Sequence, residues 1–405
     1  MNDGENYENL DFPPAKRRKH DLPESSSRIT KEDYTVGWIC ALPIEMAASR
    51  AMLDEIHPSI AQPEFDTNTY TLGQIGEHIV VVVCLPSAGT NPAATAAANM
   101  LRSFPKIRFG LMVGVGGGAP GPPGEDAWED LHLGDVVVSS LEGEHGGVIQ
   151  HDFGKTVGTG KFVQTRSLNK PPAVLRSGVA TLRALHLSEG PSTALYVSQM
   201  LERKPRMVDK FRYPGGSNDL LFHAHYDYCE ESQGNCESWD KRRLVLRKAR
   251  DTSEPAVHYG VIGSANQVMR HGATREKLRQ EKNISCFEME AAGLMDQFPR
   301  LVVRGICDYS DTHKSKQWQP YAAATAAAYA KELLAIIPAV QVTATREITD
   351  ILNIGQQRME EQEILNWLAP PTYGAQYSDN IGRHQHGTCE WFLQSPEFAS
   401  WVEGH

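Results

Sequence analysis

From Tyr34 onward, short apolar runs alternate with amphipathic segments. The runs at 35–42, 79–85, 109–115, 135–139, 258–264 and 301–307 are rich in valine and isoleucine. They are apolar at consecutive positions, as strands must be when both of their faces meet helices instead of water. Between them, segments 44–55, 92–104, 275–281, 291–298 and 321–336 carry helical periodicity. Strand followed by helix, repeated, predicts an α/β fold: a three-layer αβα sandwich around a central mixed, mostly parallel twisted sheet.

Composition narrows the partners. The net charge of −10 argues against a nucleic acid, because phosphate-backbone recognition needs clustered Lys and Arg. No apolar run reaches the ~18 residues that cross a bilayer, so no membrane partner is expected. Four of the seven cysteines (Cys40, Cys84, Cys286 and Cys307) lie in the apolar runs, where reduced, buried thiols of intracellular proteins sit.

Residues 1–33, rich in Asp, Glu, Ser and Pro, read as a disordered tail. Inside it, Lys16-Arg17-Arg18-Lys19 has the form of a nuclear import signal, which makes the expected compartment cytoplasmic or nuclear; a solvated charged tail has the same composition. The strand–helix alternation occupies residues 34–340 as one domain. Within it, 187–255 is charged and polar and reads as an insertion or surface excursion. Residues 341–405 form a tail with a helix-like run at 345–368, too short for a domain of its own.

Three signals fall at the ends of the expected strands, where open α/β sheets place their ligands. Glu45 follows the first strand and stands in the first turn of a helix, where a carboxylate also gains from the helix dipole. Gly114-Val115-Gly116-Gly117-Gly118 ends another strand; glycines there form a turn or let backbone approach a ligand. A second small-residue loop, Ser87-Ala88-Gly89-Thr90-Asn91, leads into a helix whose free N–H groups suit an anion. Finally, Phe287-Glu288-Met289-Glu290 is followed by Arg304-Gly305-Ile306-Cys307-Asp308. A carboxylate in such apolar surroundings is costly unless it is used or paired, with Arg304 as one available partner.

Other chemistries find less support. No Lys-Ser or Lys-Thr follows the glycines, and Pro120, Pro122 and Pro123 block the helix that a dinucleotide fingerprint needs, which removes an NAD-dependent oxidoreductase. His223, His225, Cys229 and Cys236 match no common zinc spacing, so no metal is expected. No cofactor signature is present.

Together these signals resemble the nucleoside phosphorylase/nucleosidase superfamily of purine and uridine phosphorylase type, in the same order over about residues 34–338. The stretch Val36-Gly37-Trp38-Ile39-Cys40-Ala41-Leu42-Pro43-Ile44-Glu45 is similar, more narrowly, to fungal nucleoside phosphorylase-like domains that head NACHT and ankyrin proteins. Residues 341–405 resemble the connector to the NTPase of those proteins; no Walker A motif follows here, which implies the enzyme module alone or a shortened member.

The resemblance implies cleavage of the N-glycosidic bond of a purine nucleoside or nucleotide, adenosine-like or ATP-like, by a homo-oligomer without a cofactor. By position, Asp308 is the general acid that protonates N7 of the leaving purine. Glu290 accepts hydrogen bonds from the ribose hydroxyls, and Met289 packs beneath the sugar. Ser264, Val268 and Met269 line the base, with Val268 where nucleosidases of the family stack an aromatic. Gly89, Thr90, Gly114, Val115 and Gly116 form the loop for phosphate or water. Glu45 falls where hydrolytic members keep the carboxylate that activates water.

Elementary chemistry suits these roles. Glycosidic cleavage develops oxocarbenium character on the sugar, so the leaving base must be neutralised by a proton. A carboxyl supplies one near neutral pH only where its surroundings favour the protonated form, and Ile306 and Cys307 are apolar neighbours of Asp308. Phosphorylases of the superfamily hold phosphate with an arginine and a hydroxyl residue, and those places carry Met112 and Val115 here. Two missing donors and the carboxylate of Glu45 favour hydrolysis. The alternatives are a phosphate-dependent phosphorylase, with Thr90 and loop backbone as donors, and a non-catalytic nucleoside-sensing or scaffold module.

Overall fold

The computed structural model describes residues 29–122, 130–140, 146–158, 160–164, 168–227, 239–248, 250, 252–294, 298–368 and 395–402. The basic run at 16–19, Cys229 and Cys236, and the segment 369–394 lie outside the described residues.

The described strands are β1 (Val36–Cys40), β2 (Glu55–Ile56), β3 (Tyr70–Ile75), β4 (His78–Cys84), β5 (Phe109–Gly118), β6 (Val136–Ser139) and β7 (Val148–Gln150). They continue with β8 (Gly154–Val157), β9 (Lys161–Gln164), β10 (Val257–Ser264), β11 (Ile284–Glu288) and β12 (Arg300–Asp308). The helices are α1 (Pro43–Met52), α2 (Thr90–Ser103), α3 (Ala173–Glu189), α4 (Thr193–Arg203) and α5 (Val208–Phe211). After these come α6 (Gly272–Lys282), α7 (Gln319–Ile336), α8 (Ala339–Ala344), α9 (Ile348–Leu368) and α10 (Pro396–Val402). Among the described residues, no single helix is long and apolar enough to cross a membrane.

One large sheet runs in the order β11-β10-β6-β12-β5-β1-β4-β3-β2, with β7 beside β10; β8 and β9 form a separate hairpin. The sheet is mixed: β1 pairs in parallel with β4 and β5, as β12 does with β5, whereas β3–β4 and β12–β6 are antiparallel. β11 also pairs with β5, Cys286 opposite Gly118 and Phe287 opposite Gly117, so β5, β12, β6, β10 and β11 close into a ring. The valine-rich runs at β1, β4, β5, β6, β10 and β12 are buried on both faces. On β1, Val36, Trp38 and Cys40 enter a core shared with α1, α3, α4 and α7, while Ile39 enters a second core with α2.

Three segments differ from the sequence reading. Gly114, Val115 and Gly116 lie inside β5, not in a loop. Side chains there would collide with the ring: a Cβ on Gly116 would stand 2.4 Å from Cys286 Sγ, and one on Gly114 would stand 2.5 Å from Glu45 Oε1. At 291–298, expected as a helix, only the 3-10 turn Ala291–Gly293 is present among the described residues, and the carboxylate of Glu288 accepts Ala291 N–H at its start. The polar stretch after Leu187 opens on the end of α3 and the regular helix α4, whose Val197 and Met200 are core residues.

α7 is almost wholly buried and lies directly on β12. Alanines on the helix and Gly305 on the strand allow this: a Cβ on Gly305 would come within 1.8 Å of Ala322 O. That contact sets the level at which β12 ends, three residues on, at Asp308.

Candidate functional site

The C-terminal ends of β1, β11 and β12, together with the C-terminal part of β5, converge on a cavity of about 230 Å³. Its wall contains Glu45, Val115, Gly116, Met289, Glu290 and Asp308, and Val268 and Met269 close the side nearest β10.

Glu45 reaches the site because Pro43 opens α1 one residue beyond the turn, which places the carboxylate in the first helical turn. Its Oε2 accepts Ala41 N–H at 2.7 Å and Leu42 N–H at 2.9 Å. Oε1 accepts Val115 N–H at 2.7 Å, beyond the last β1–β5 pair, Ile39 opposite Met112. Oε2 is thereby filled, whereas Oε1 keeps an acceptor position. Burial raises the Glu45 carboxyl above its ordinary range, opposed by the Arg304 charge and the three backbone donors. Helix start and cavity wall are therefore served by the same carboxylate.

Arg304, fully buried on β12, joins the acidic groups. Its Nη2 donates to Glu288 and, at 3.1 Å, to Glu290 Oε2; its Nη1 donates to Val115 O at 3.3 Å. Burial alone would lower its pKa, but the carboxylates of Glu288, Glu290 and Glu45 outweigh this and keep the guanidinium charged. Glu288 turns inward to accept Glu290 N–H and Ala291 N–H, which shapes the bend that presents Glu290. Burial pushes Glu290 up to about 7 against the pull of Arg304, with Glu288 and Glu45 adding to the rise. Glu290 Oε1 has no donor among the described residues and is free to accept from a ligand.

Asp308 ends β12. Its Oδ1 accepts Ser310 N–H at 2.9 Å and lies 3.1 Å from Lys314 Nζ, and the Cys307 thiol is 3.4 Å from Oδ2. Ser310 has φ +55°, which turns the chain back over the strand end. Gly117 leaves room for this turn, since a Cβ there would stand 2.1 Å from Ser310 Oγ.

The remaining expected site residues lie behind the wall. Ser264 is fully buried and its hydroxyl accepts Ala292 N–H at 2.9 Å. Thr90 donates through N–H and hydroxyl to Asn266 Oδ1, at 3.0 and 2.9 Å, and Gly89 caps α2 with φ +127°. Asn266 in turn donates to Asp152, so the α2 start is tied to the segment after β10. Gly114 lies beneath Glu45 and Arg304. Met112 is a core residue away from the cavity, packed with α2.

Sequence reasoning passed over Glu288 as the brace of Glu290, and Lys314 altogether. The Glu-Met-Glu spacing marked the first, while nothing in the sequence points the lysine back at Asp308. A second hollow, of about 320 Å³, is lined by His132, Asp219, Arg247 and Arg250. Its two arginines are already matched, Arg247 with Asp219 and Arg250 with Asp135, and it holds none of the groups above.

No protein-family model matches the chain. It is 43% identical over 359 residues to a nucleotide-binding leucine-rich repeat (NLR)-like protein of Hyaloscypha variabilis, a match covering 88% of this chain and 33% of that protein. The chain thus spans a third of that relative's length. It is 23% identical over 310 residues to the 5'-methylthioadenosine/S-adenosylhomocysteine nucleosidase of Mycobacterium bovis, covering 75% of this chain and 97% of that enzyme. Among solved structures, the corresponding nucleosidase of Helicobacter pylori aligns with a TM-score of 0.46 and 15% identity, over 75% of this chain and 98% of that one.

Proposed function

We propose that this chain hydrolyses the N-glycosidic bond of a purine nucleoside or nucleotide and belongs with the nucleoside phosphorylase/nucleosidase superfamily. One observation carries the reading: Glu45, Glu290 and Asp308, far apart in sequence, face one cavity at the strand ends. The likeness along nearly the whole of a bacterial nucleosidase adds support.

In this reading the base lies between Asp308 and the Val268–Met269 side, with the ribose over Met289. Glu290 Oε1 accepts the ribose hydroxyls and orients the sugar. As the bond to C1′ breaks, its electron pair passes into the purine, and Asp308 hands a proton to N7. A water hydrogen-bonded to the open position of Glu45 Oε1 attacks C1′ and gives its proton to Glu45. Phosphate would meet Glu45, Glu290 and Asp308 on the same wall, and the cations there, Arg304 and Lys314, are already paired with carboxylates, so the charge balance favours water as the nucleophile.

The test is chromatographic detection of free base from adenosine, guanosine, inosine, AMP, ATP and uridine, with and without inorganic phosphate. Base with free ribose or ribose phosphate, independent of added phosphate, is the expected result. Strict phosphate dependence would make the chain a phosphorylase. No release from any of these substrates would refute catalysis.

A further inference from the structure

Resting on that hydrolytic reading, we infer that Lys314 supplies the proton that Asp308 passes to the departing purine. The problem it solves is visible at Asp308 Oδ1, which receives Ser310 N–H at 2.9 Å and faces the Lys314 ammonium at 3.1 Å. Asp308 has to regain each proton it gives to a leaving base, and of these two donors the ammonium is the one that can release its proton. The leaving group departs with the bonding electron pair and is neutralised by protonation at N7.

The geometry places the donor and its replenishment in line. Lys314 Nζ touches Asp308, and its side chain is 24% exposed, against 9% for Asp308, so the lysine is the more solvent-accessible of the two. The other cation on the wall, Arg304, has Nη1 and Nη2 engaged by Val115 O, Glu288 and Glu290. The titratable neighbours of the pair are Cys307 on the same strand and Cys286 on β11, both held as thiols by burial. Across the cavity stand Glu45, Glu288 and Glu290 with Arg304.

The step balances. As C1′–N9 breaks, N7 takes a proton from Asp308, Asp308 takes one from Lys314, and the neutral amine regains one from water. The attacking water's proton leaves through Glu45, so one proton enters the site and one departs.

The experiment compares wild type, K314R and K314A on adenosine and AMP, with folding checked by thermal unfolding and K314A assayed with added ethylamine. K314R keeps the charge beside Asp308 but cannot release a proton at neutral pH. Both variants are expected to lose about 10²-fold or more in kcat on both substrates with KM little changed, and ethylammonium to restore part of the rate of K314A. A fully active K314R would overturn the inference, because charge alone would then suffice. So would an inactive K314A that ethylamine does not rescue, or a loss confined to AMP, which would make Lys314 a phosphate contact. A wild type that releases no base sinks the hydrolytic reading itself, and this inference with it.

Discussion

Asp308 and Glu45 line the same cavity, and in the proposed hydrolysis they have opposite tasks, one handing over a proton and the other taking one. Asp308→Asn keeps the shape and removes the proton. It should cut base release by about 10²–10⁴-fold while binding of a non-cleavable C-nucleoside, followed by fluorescence, stays within a few-fold. Glu45→Gln turns an amide nitrogen toward either the two backbone N–H donors at Oε2 or the one at Oε1. It should lower hydrolysis by at least ~10²-fold and cost about 1–3 kcal/mol of stability, read from denaturant unfolding; an unchanged rate would return Glu45 to a purely helix-capping role. Glu290, raised to about 7 chiefly by burial, would hold ribose hydroxyls more strongly when ionised, so on the proposed reading base release should climb as pH passes upward through about 7. The stability effect runs the other way. The folded state holds this proton more tightly than the unfolded state, so the contribution is present below the ordinary carboxylate range and is lost as pH rises through about 7. Thermal unfolding of wild type against Glu290→Gln, from about pH 5 to about pH 8, should show wild type losing ground as pH rises.

The elements position these groups through close backbone contacts. β12 carries both Arg304 and Asp308, and its level is set by α7 lying on Gly305. Gly305→Ala drives a methyl into Ala322 O, so strand or helix must move. A loss of about 1–3 kcal/mol, or more, is expected together with loss of base release, whereas Gly158→Ala, with open space around it, should change neither. The same reasoning explains which elements were legible. β1, β4, β5, β6, β10 and β12 announce themselves because both their faces are buried, which leaves unbroken apolar runs. β11 hides because its five residues stand between charged α6 and the Glu-Met-Glu bend. Gly114–Gly118 carries the composition of a turn and yet is strand, because β11, Glu45 and Ser310 press against it where no side chain fits.

At the scale of the molecule, the closed ring of β5, β12, β6, β10 and β11 stands beside the open part of the sheet, and the cavity lies where β1 meets it. The chain beyond α7 still belongs to this body for a short distance. Val342 and Ile348 are fully buried, Glu347 pairs with Lys106 at 2.7 Å, and Thr345 O accepts from Arg108. Further along α9, Ile364, Leu365 and Trp367 are exposed. Ending the chain after residue 340 should therefore cost about 1.5–3 kcal/mol for each of the two lost core side chains, seen as a lower unfolding temperature. Ending it after Asn353 should leave stability and base release close to those of the full chain. Equal stability of the two truncations would show that the α8–α9 contacts contribute little.

Local composition was enough to foretell the α/β alternation and the acidic groups at strand ends, because burial on two faces and carboxylates in apolar runs both leave marks in neighbouring residues. Asp308, Glu290 and Glu45 could be singled out on that basis. Of their partners, Arg304 could be named as a candidate, but its geometry could not be read from the sequence, nor could Lys314 be named at all. Arg304 bridges Glu288 and Glu290 only once β12 and β11 flank the same ring. Lys314 meets Asp308 only because Ser310 adopts a left-handed turn that Gly117 leaves room for. Ser264, Thr90 and Gly114 brace the wall instead of lining it, since neighbouring segments reach their polar groups or space first. Those outcomes depend on distances between segments remote in the chain, and such distances exist only after the sheet has closed.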